Sequence, residues 1–178
     1  MFYHLSMDLS NVTKVFTPRI PNPSQRMEGE NDSIPRICVA KSIEDCLSAM
    51  PNGGYAFEYV DEPKRIRVYE FDETSIEKEN IITPTELYFY EWVLDAWVTG
   101  EYWIVGQEII PTRVYDIELK KVEVVDAPYV HPDAFKKALE ETDEPEEILD
   151  ELEDQANQSV ARITEIEYQI IREIFIEQ

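Results

Sequence analysis

Two side chains suited to electrostatic or acid–base chemistry stand in apolar surroundings, one glutamate and one histidine. Glu101 follows Gly100 and directly precedes the apolar run 102–105, and His4 lies between two apolar neighbours. A carboxylate at the start of a buried strand is costly to desolvate, and such a group often serves a function. The alternative is a solvated turn residue, which is common in an acidic chain. The strongest candidate constellation is therefore His4, a hydroxyl or aromatic group near it, and Glu101.

Other kinds of site find less support in the residue types. The chain has two histidines and two cysteines, Cys38 and Cys46, too few for a structural zinc site or a disulfide framework. We therefore expect no metal site and two reduced, buried thiols. The second histidine, His131, precedes Pro132 at a predicted helix start, where capping is its expected role. The chain contains no glycine-rich phosphate loop and no nucleophile elbow.

A second group of candidates is basic and lies in the proline-rich segment 17–36. This segment carries Arg19, Arg26 and Arg36, a notable share of the 16 basic residues. Four prolines favour extended geometry, and a connection of this length is often functional, for example as a lid. The arginines are suited to hold phosphate groups, or alternatively to pair with neighbouring carboxylates.

The charge balance limits the classes of partner. The chain holds 38 acidic and 16 basic residues, a net charge of -22. There is no basic surplus to neutralise phosphates, so nucleic-acid binding and anionic membrane surfaces are disfavoured. A basic protein partner, or mimicry of nucleic acid, stays open. No apolar run is long enough to span a membrane and the N-terminus lacks a secretory pattern, so we expect a cytoplasmic protein.

The elements that must position these residues are mostly short strands. Strand patterns cover 2–5, 37–40, 102–105 and 112–125, the last with a break near Lys120, and residues 55–60 and 66–71 resemble a hairpin. Ser42 is a predicted N-cap of a helix that reaches Met50. Thr83 and Pro84 are consistent with either a helix start or a strand. We expect residues 1–126 to form an α+β domain with few helices.

The remainder, residues 127–178, has the composition of an acidic helical segment. Residues 131–178 contain 15 acidic and 4 basic residues and strong helix formers. An apolar face at spacings of three and four is formed by Ala156, Val160, Ile163, Ile166, Ile170 and Ile174. We expect this helix to pack either on its own domain or, through residues 156–175, on a second copy in a homo-oligomer.

Three short stretches resemble the motifs of the ADP-ribosyltransferase fold, in its poly-ADP-ribose polymerase branch. The run Gly100 to Val105, followed by Gln107 and the strand 114–119, resembles the last motif. Tyr3-His4-Leu5-Ser6 resembles the first motif, and Ala40-Lys41-Ser42 leading into a helix resembles the middle one. Their order along the chain agrees with the family, and the resemblance covers about the first 120 residues. It implies split antiparallel β-sheets.

The resemblance also implies roles. His4 would contact the ribose of NAD, and Ser6 would bond the ribose or carboxamide region. Glu101 would orient a ribose hydroxyl and stabilise the oxocarbenium ion that forms when nicotinamide leaves. Arg19 or Arg36 would meet the pyrophosphate. The chain departs from the family where Leu5 replaces a glycine and where a tyrosine that stacks on nicotinamide is missing; Tyr55 and Tyr59 are the candidate substitutes.

Two functions from different classes follow. The first is a small NAD-using ADP-ribosyltransferase-like enzyme, of a kind that a phage or another mobile element would carry. The second is a non-catalytic acidic protein that binds a basic partner or mimics nucleic acid, for example a phage-encoded inhibitor of a host or defence protein. The motif departures and the net charge of -22 favour the second class.

Overall fold

The computed structural model describes residues 1–27, 29–51, 53–57, 63–141, 152 and 158–176. Within them the expected α+β class is confirmed: one antiparallel sheet is accompanied by a few short helices. The strands are β1 (Phe2–Ser6), β2 (Ile37–Ala40), β3 (Lys64–Phe71), β4 (Ile81–Ile82), β5 (Glu101–Ile104), β6 (Arg113–Tyr129) and β7 (Gln158–Ile174). The helices are α1 (Ile43–Ser48), α2 (Pro84–Phe89), α3 (Ala96–Thr99) and α4 (Pro132–Glu141).

The sheet has the strand order β4-β5-β2-β1-β3-β6-β7, and its two halves meet at a narrow junction. Strands β1 and β2 share a single pair, Tyr3 with Ala40. Beyond that pair β1 continues along β3, whereas β2 continues along β5. The two strands therefore part at the middle of the sheet, and a cleft opens between them.

The helices after β2 and β4, α1 and α2, both begin with a side-chain N-cap. The Ser42 hydroxyl accepts a hydrogen bond from the Asp45 backbone N–H at 3.1 Å, which confirms the predicted N-cap of α1. Thr83 opens α2 with a complete capping box to Glu86, and Pro84 takes the first turn. The sequence leaves a helix start or a strand open at Thr83 and Pro84. The structure forms a helix start there.

The predicted C-terminal helix is wrong, because residues 158–174 form β7. This strand pairs antiparallel with β6 over 15 residue pairs and occupies an edge of the sheet. Val160, Ala161 and Ile163 are buried, and the Ile163 N–H donates to the Ser48 hydroxyl of α1 at 2.9 Å. The acidic C-terminal part therefore contributes a helix, α4, and a strand that belongs to the same sheet and core as β1 to β6.

The helical spacing in β7 has a specific origin. Pairing with β6 is interrupted by register shifts, one of which skips Thr164 between the pairs Glu123–Glu165 and Val124–Ile163. A bulge adds one residue and resets which face the next side chain takes. Ile163 and Ile166 can then both pack on one apolar cluster although they are three positions apart. A sequence with such bulges imitates a helical period, while its β-branched content favours a strand.

The predicted first arm of a hairpin at 55–60 is also corrected in its described part. Tyr55, Ala56 and Phe57 belong to a 3-10 helix, Gly53–Phe57; residues 58–60 lie outside the described residues. A Cβ on Gly54 would lie 2.8 Å from the backbone oxygen of Ala161, so the close packing of this turn on β7 requires glycine. The second arm, β3, and the predicted break in β6 near Lys120 are confirmed, the latter as a register shift between Leu119 and Lys121.

The proline-rich segment is anchored at both of its ends. Arg19 and Arg36 exchange two backbone hydrogen bonds, of 3.1 and 2.9 Å, which close the base of the loop. The Asn31 N–H donates to the Trp92 carbonyl at 2.9 Å, and a short 3-10 helix covers Pro23–Gln25. These contacts hold the described part of the loop over the sheet. Among the described helices, none has the length and apolar character needed to cross a membrane.

Candidate active site

A cleft of about 1050 Å³ opens where β1 and β2 part. Its walls come from the end of β1, from β2, from the C-terminal end of α1 and from the proline-rich loop. Among its lining residues are five to which the resemblance assigns a role: His4, Ser6, Arg19, Arg36 and Glu101. The fold therefore assembles residues that are almost a hundred positions apart in the chain.

The His4 side chain is fixed by a backbone carbonyl on the opposite side of the opening. Its Nδ1 lies 2.8 Å from the Cys38 carbonyl oxygen, so Nδ1 carries the proton and donates it. The ring meets Phe16 edge to face at a centroid distance of 5.0 Å. Burial lowers the pKa of His4, and Arg19 lowers it further. His4 is accordingly a neutral imidazole near pH 7, with Nε2 as an acceptor.

Glu101 is the first residue of β5 and is only 6% exposed, so it is not a solvated turn residue. Its Oε1 accepts a hydrogen bond from the indole Nε1 of Trp103 at 2.7 Å. Burial raises the pKa of the carboxyl group to about 7, with a further contribution from the nearby carboxylate of Glu30. Hydrogen bonds from Trp103 and Cys38 act in the opposite direction. Glu101 is thus held near the midpoint of its titration at neutral pH.

The two arginines of the loop have different environments. The Arg36 side chain is fully buried, forms an ion pair with Glu30, donates to the Ile34 carbonyl at 3.0 Å and lies over Trp103. Arg19 is exposed at the mouth of the cleft, and its side chain takes part in no ion pair among the described residues. Of the two, Arg19 has the guanidinium that is available to an incoming anion.

Ser6 and Tyr55 hold more peripheral positions. The Ser6 hydroxyl accepts from the Asp8 N–H at 3.1 Å, which shapes the turn after β1, and the side chain lines the cleft. Tyr55 is half-exposed and is not among the lining residues, although Ala56 and Phe57 beside it are. The Tyr55 hydroxyl donates to the Asp126 carboxylate on β6. The structure brings Ser6 to the cleft of His4 and Glu101, but not Tyr55.

Three residues that act on Glu101 are not predicted from the sequence: Glu30, which lines the cleft, and Asp95 and Trp103, which lie outside its lining. Glu30 supplies the partner of Arg36, and Trp103 the donor to Glu101. Asp95 is 3% exposed, its Oδ2 has no hydrogen-bond partner among the described residues, and burial raises its pKa to about 6. A signal exists for Trp103 alone, because residues two apart on a strand point to the same face.

Acidic and basic groups gather elsewhere at the surface, beside the start of α4. Potential ligand atoms of Glu91, His131 and Asp133 lie within 4.8 Å of one another. The Lys136 ammonium lies 3.1 Å from Glu91 and 3.5 Å from Asp133, so a cation of the protein already compensates these carboxylates. His131 Nδ1 accepts from the Asp133 N–H at 3.2 Å, which confirms the capping role.

The cleft combines a neutral histidine, a carboxyl group that titrates near pH 7 and an exposed arginine at the mouth. This arrangement can stabilise a positive charge that develops beside Glu101 while Arg19 holds an anionic part of the same ligand. Comparisons with models of protein families, with curated proteins and with solved structures found no match to this chain.

Proposed function

We propose that this protein is an ADP-ribosyltransferase-like enzyme that binds NAD in the cleft and transfers ADP-ribose to an acceptor. The observation that carries the proposal is the meeting of His4 and Glu101 in one cleft, from the first and fifth strands. The third stretch that resembles the family, Ala40 to Ser42, ends β2 and caps α1 between them. The proposal therefore rests on three motifs that converge, together with the family resemblance.

The size and polarity of the cleft suit a dinucleotide. Ligand pockets commonly measure roughly 300 to 1,000 Å³, and this one, at about 1050 Å³, is at the upper end of that range. Arg19 at the mouth supplies a planar, permanently charged donor for the pyrophosphate. The Nε2 of His4 is left as an acceptor, which suits a ribose hydroxyl. These features accommodate an anionic middle and a sugar beside Glu101.

The chemistry asked of Glu101 is electrostatic. When the bond between nicotinamide and ribose breaks, its electron pair leaves with nicotinamide and positive charge develops on the sugar. An ionised carboxylate held beside that carbon stabilises the charge as it forms. The acceptor nucleophile then forms the new bond to the same carbon and loses its proton. The positive charge on the nicotinamide ring of bound NAD favours the ionised form of Glu101.

NAD binding by calorimetry, combined with an assay of nicotinamide release, tests the proposal. We expect saturable binding by the wild type, and loss of turnover by at least about 100-fold in Glu101→Gln with the fold retained. Glu79→Gln is the matched control, since Glu79 is exposed and lies outside the cleft lining. Absence of binding at millimolar NAD, or full activity in Glu101→Gln, would overturn the proposal.

A second candidate function is an acidic interaction protein, and the net charge of -22 favours it. Such a protein would bind a basic partner or occupy its nucleic-acid site, and its association would weaken steeply with salt. Pull-down with a basic protein at low and high salt, alongside the NAD titration, separates the two functions. Association that is indifferent to salt would count against this second function.

A further inference from the structure

Trp103 is a buried hydrogen-bond donor to Glu101. Its side chain is fully buried, and its Nε1–H donates to Glu101 Oε1 at 2.7 Å. The two residues lie two positions apart on β5, so their side chains leave the strand on the same face. A hydrogen bond to an ionised carboxylate at this distance is of the strong, charge-assisted kind.

The indole is itself held from two directions. The Arg36 guanidinium carbon lies 3.8 Å from the centroid of the Trp103 ring, and the ring of Trp92 stacks nearly parallel to it, at 6.1 Å and 6°. Arg36 is fixed in turn by the Glu30 carboxylate and by the Ile34 carbonyl. The donor that faces Glu101 therefore cannot rotate away without breaking this whole stack.

We infer that Trp103 is a positioning residue: its indole N–H fixes the carboxylate of Glu101 in the cleft and keeps it available in the ionised form. The catalytic consequence rests on the function proposed above, whereas the hydrogen bond and its effect on the ionisation of Glu101 do not. A carboxylate that reorients during the reaction loses stabilising power, so a fixed donor contributes to rate.

Trp103→Phe tests the inference, because it keeps an aromatic ring for the stack and removes the donor. We expect kcat for nicotinamide release to fall by about 10- to 100-fold with KM little changed, the range for a lost hydrogen bond to a charged group. The rise of kcat with pH should move to higher pH, since the variant stabilises the ionised carboxylate less. Trp97→Phe is the control, since Trp97 is 56% exposed and outside the cleft lining.

A measurement that does not need NAD completes the test. In wild-type protein labelled with ¹⁵N-tryptophan, the Trp103 indole resonance should titrate with a midpoint near pH 7, and Glu101→Gln should abolish that titration. Carboxyl-carbon NMR should show the pKa of Glu101 higher in Trp103→Phe and unchanged in Trp97→Phe. An indole resonance that ignores Glu101, or an unchanged pKa in Trp103→Phe, overturns the inference.

The two failures are distinguishable. If the wild type neither binds nor cleaves NAD, the proposed function fails whatever the tryptophan variants do. If NAD is cleaved and Trp103→Phe has wild-type kcat and the wild-type pH profile, the function stands and the positioning role of Trp103 is overturned.

Discussion

Glu101 couples ionisation to folding at the scale of a single residue. Its pKa is about 7 in the folded protein, above its ordinary value of 4.5, and burial is the largest cause. The folded state then binds a proton that the unfolded chain has released between these two pH values. The stabilisation from this group is present below about pH 4.5 and is lost as pH rises towards 7.

We therefore expect Glu101→Gln to remove part of the pH dependence of stability. The difference between the folded and unfolded pKa of Glu101 should lower the free energy of unfolding by about 3 kcal/mol from about pH 4.5 to about pH 8. One pKa unit is worth about 1.4 kcal/mol. Urea unfolding of wild type, Glu101→Gln and the surface control Glu79→Gln at several pH values measures it. The prediction is refuted if wild type and Glu101→Gln lose the same free energy of unfolding over this range.

The two loop arginines lead to opposite predictions. Arg19 is exposed and forms no ion pair among the described residues, so Arg19→Ala should weaken NAD binding by about tenfold and change stability by less than about 0.5 kcal/mol. Arg36 belongs to a buried ion pair with Glu30, so Arg36→Ala should cost about 3 to 5 kcal/mol of unfolding free energy. Calorimetry and urea unfolding of both variants check the contrast, and a stable Arg36→Ala protein would contradict it.

The sequence is informative about these residues only where a residue type is rare or its neighbours are unusual. His4 and Glu101 stand out because a charged or titratable group is placed in apolar surroundings. Glu30 and Asp95 do not, since they are two of 38 acidic residues and become special only when the fold buries their side chains. Burial of this kind depends on contacts that are distant in sequence.

At the scale of the element, Gly100 links α3 to β5 and so sets the direction in which Glu101 enters the sheet. Its φ of 76° lies in the left-handed region, and its N–H closes α3 by donating to the Ala96 carbonyl at 2.8 Å. A Cβ here would lie 2.8 Å from the Asp45 carboxyl carbon. Any side chain at position 100 would therefore strain the backbone and would require the Asp45 carboxylate to move.

Gly100→Ala should destabilise the fold by about 1 to 3 kcal/mol and also reduce activity through displacement of Glu101. Gly106→Ala is the matched control, since Gly106 has a φ of 67°, lies outside the cleft lining, and a Cβ there would come no closer than 3.3 Å to a described atom. It carries the backbone strain without the conflict at Asp45 and without the direct link to Glu101. Thermal unfolding and the NAD assay on both variants test this, and equal activity losses would argue against the role assigned to Gly100.

The packing of strand β7, whose sequence pattern predicts a helix, can be tested by substitution. Ile163 is 1% exposed inside the core, whereas Ile171 is 40% exposed on the edge strand. Ile163→Ala should cost about 2 to 5 kcal/mol of unfolding free energy and Ile171→Ala less than about 1 kcal/mol. Chemical denaturation of both variants measures the difference; similar costs would contradict the packing of β7 on α1.

Elements that depend on contacts between neighbouring residues can be predicted from the sequence, whereas elements that depend on distant contacts cannot. The caps of α1 and α2 are predictable because a Ser or Thr hydroxyl and an N–H three residues later decide them. Strand β7 is not, because it is stabilised by pairing with β6, and its bulges are set by that partner. The apolar spacing of three and four residues therefore predicts a helix, but pairing with β6 makes this segment a strand.

At the scale of the whole molecule, the excess of acidic groups opposes compaction. With a net charge of -22 on 178 residues, like charges repel more in the folded state than in an expanded chain. Raising NaCl from about 20 to about 500 mM shortens the screening length and should raise Tm by several degrees at about pH 7.5. A basic partner that neutralised the same surface would stabilise the fold in the same way, which connects this prediction to the second candidate function.

The control is the same salt series near the isoelectric point of about 4.3, where the net charge vanishes and the increase in Tm should largely disappear. A general effect of salt on hydrophobic burial would persist at both pH values, so the difference between the two series isolates the charge. A Tm that is independent of NaCl at neutral pH would mean that the 16 basic residues already compensate their acidic neighbours locally. The acidic surface would then contribute little energy to binding a basic protein, and the case for the cleft as the functional centre would be the stronger one.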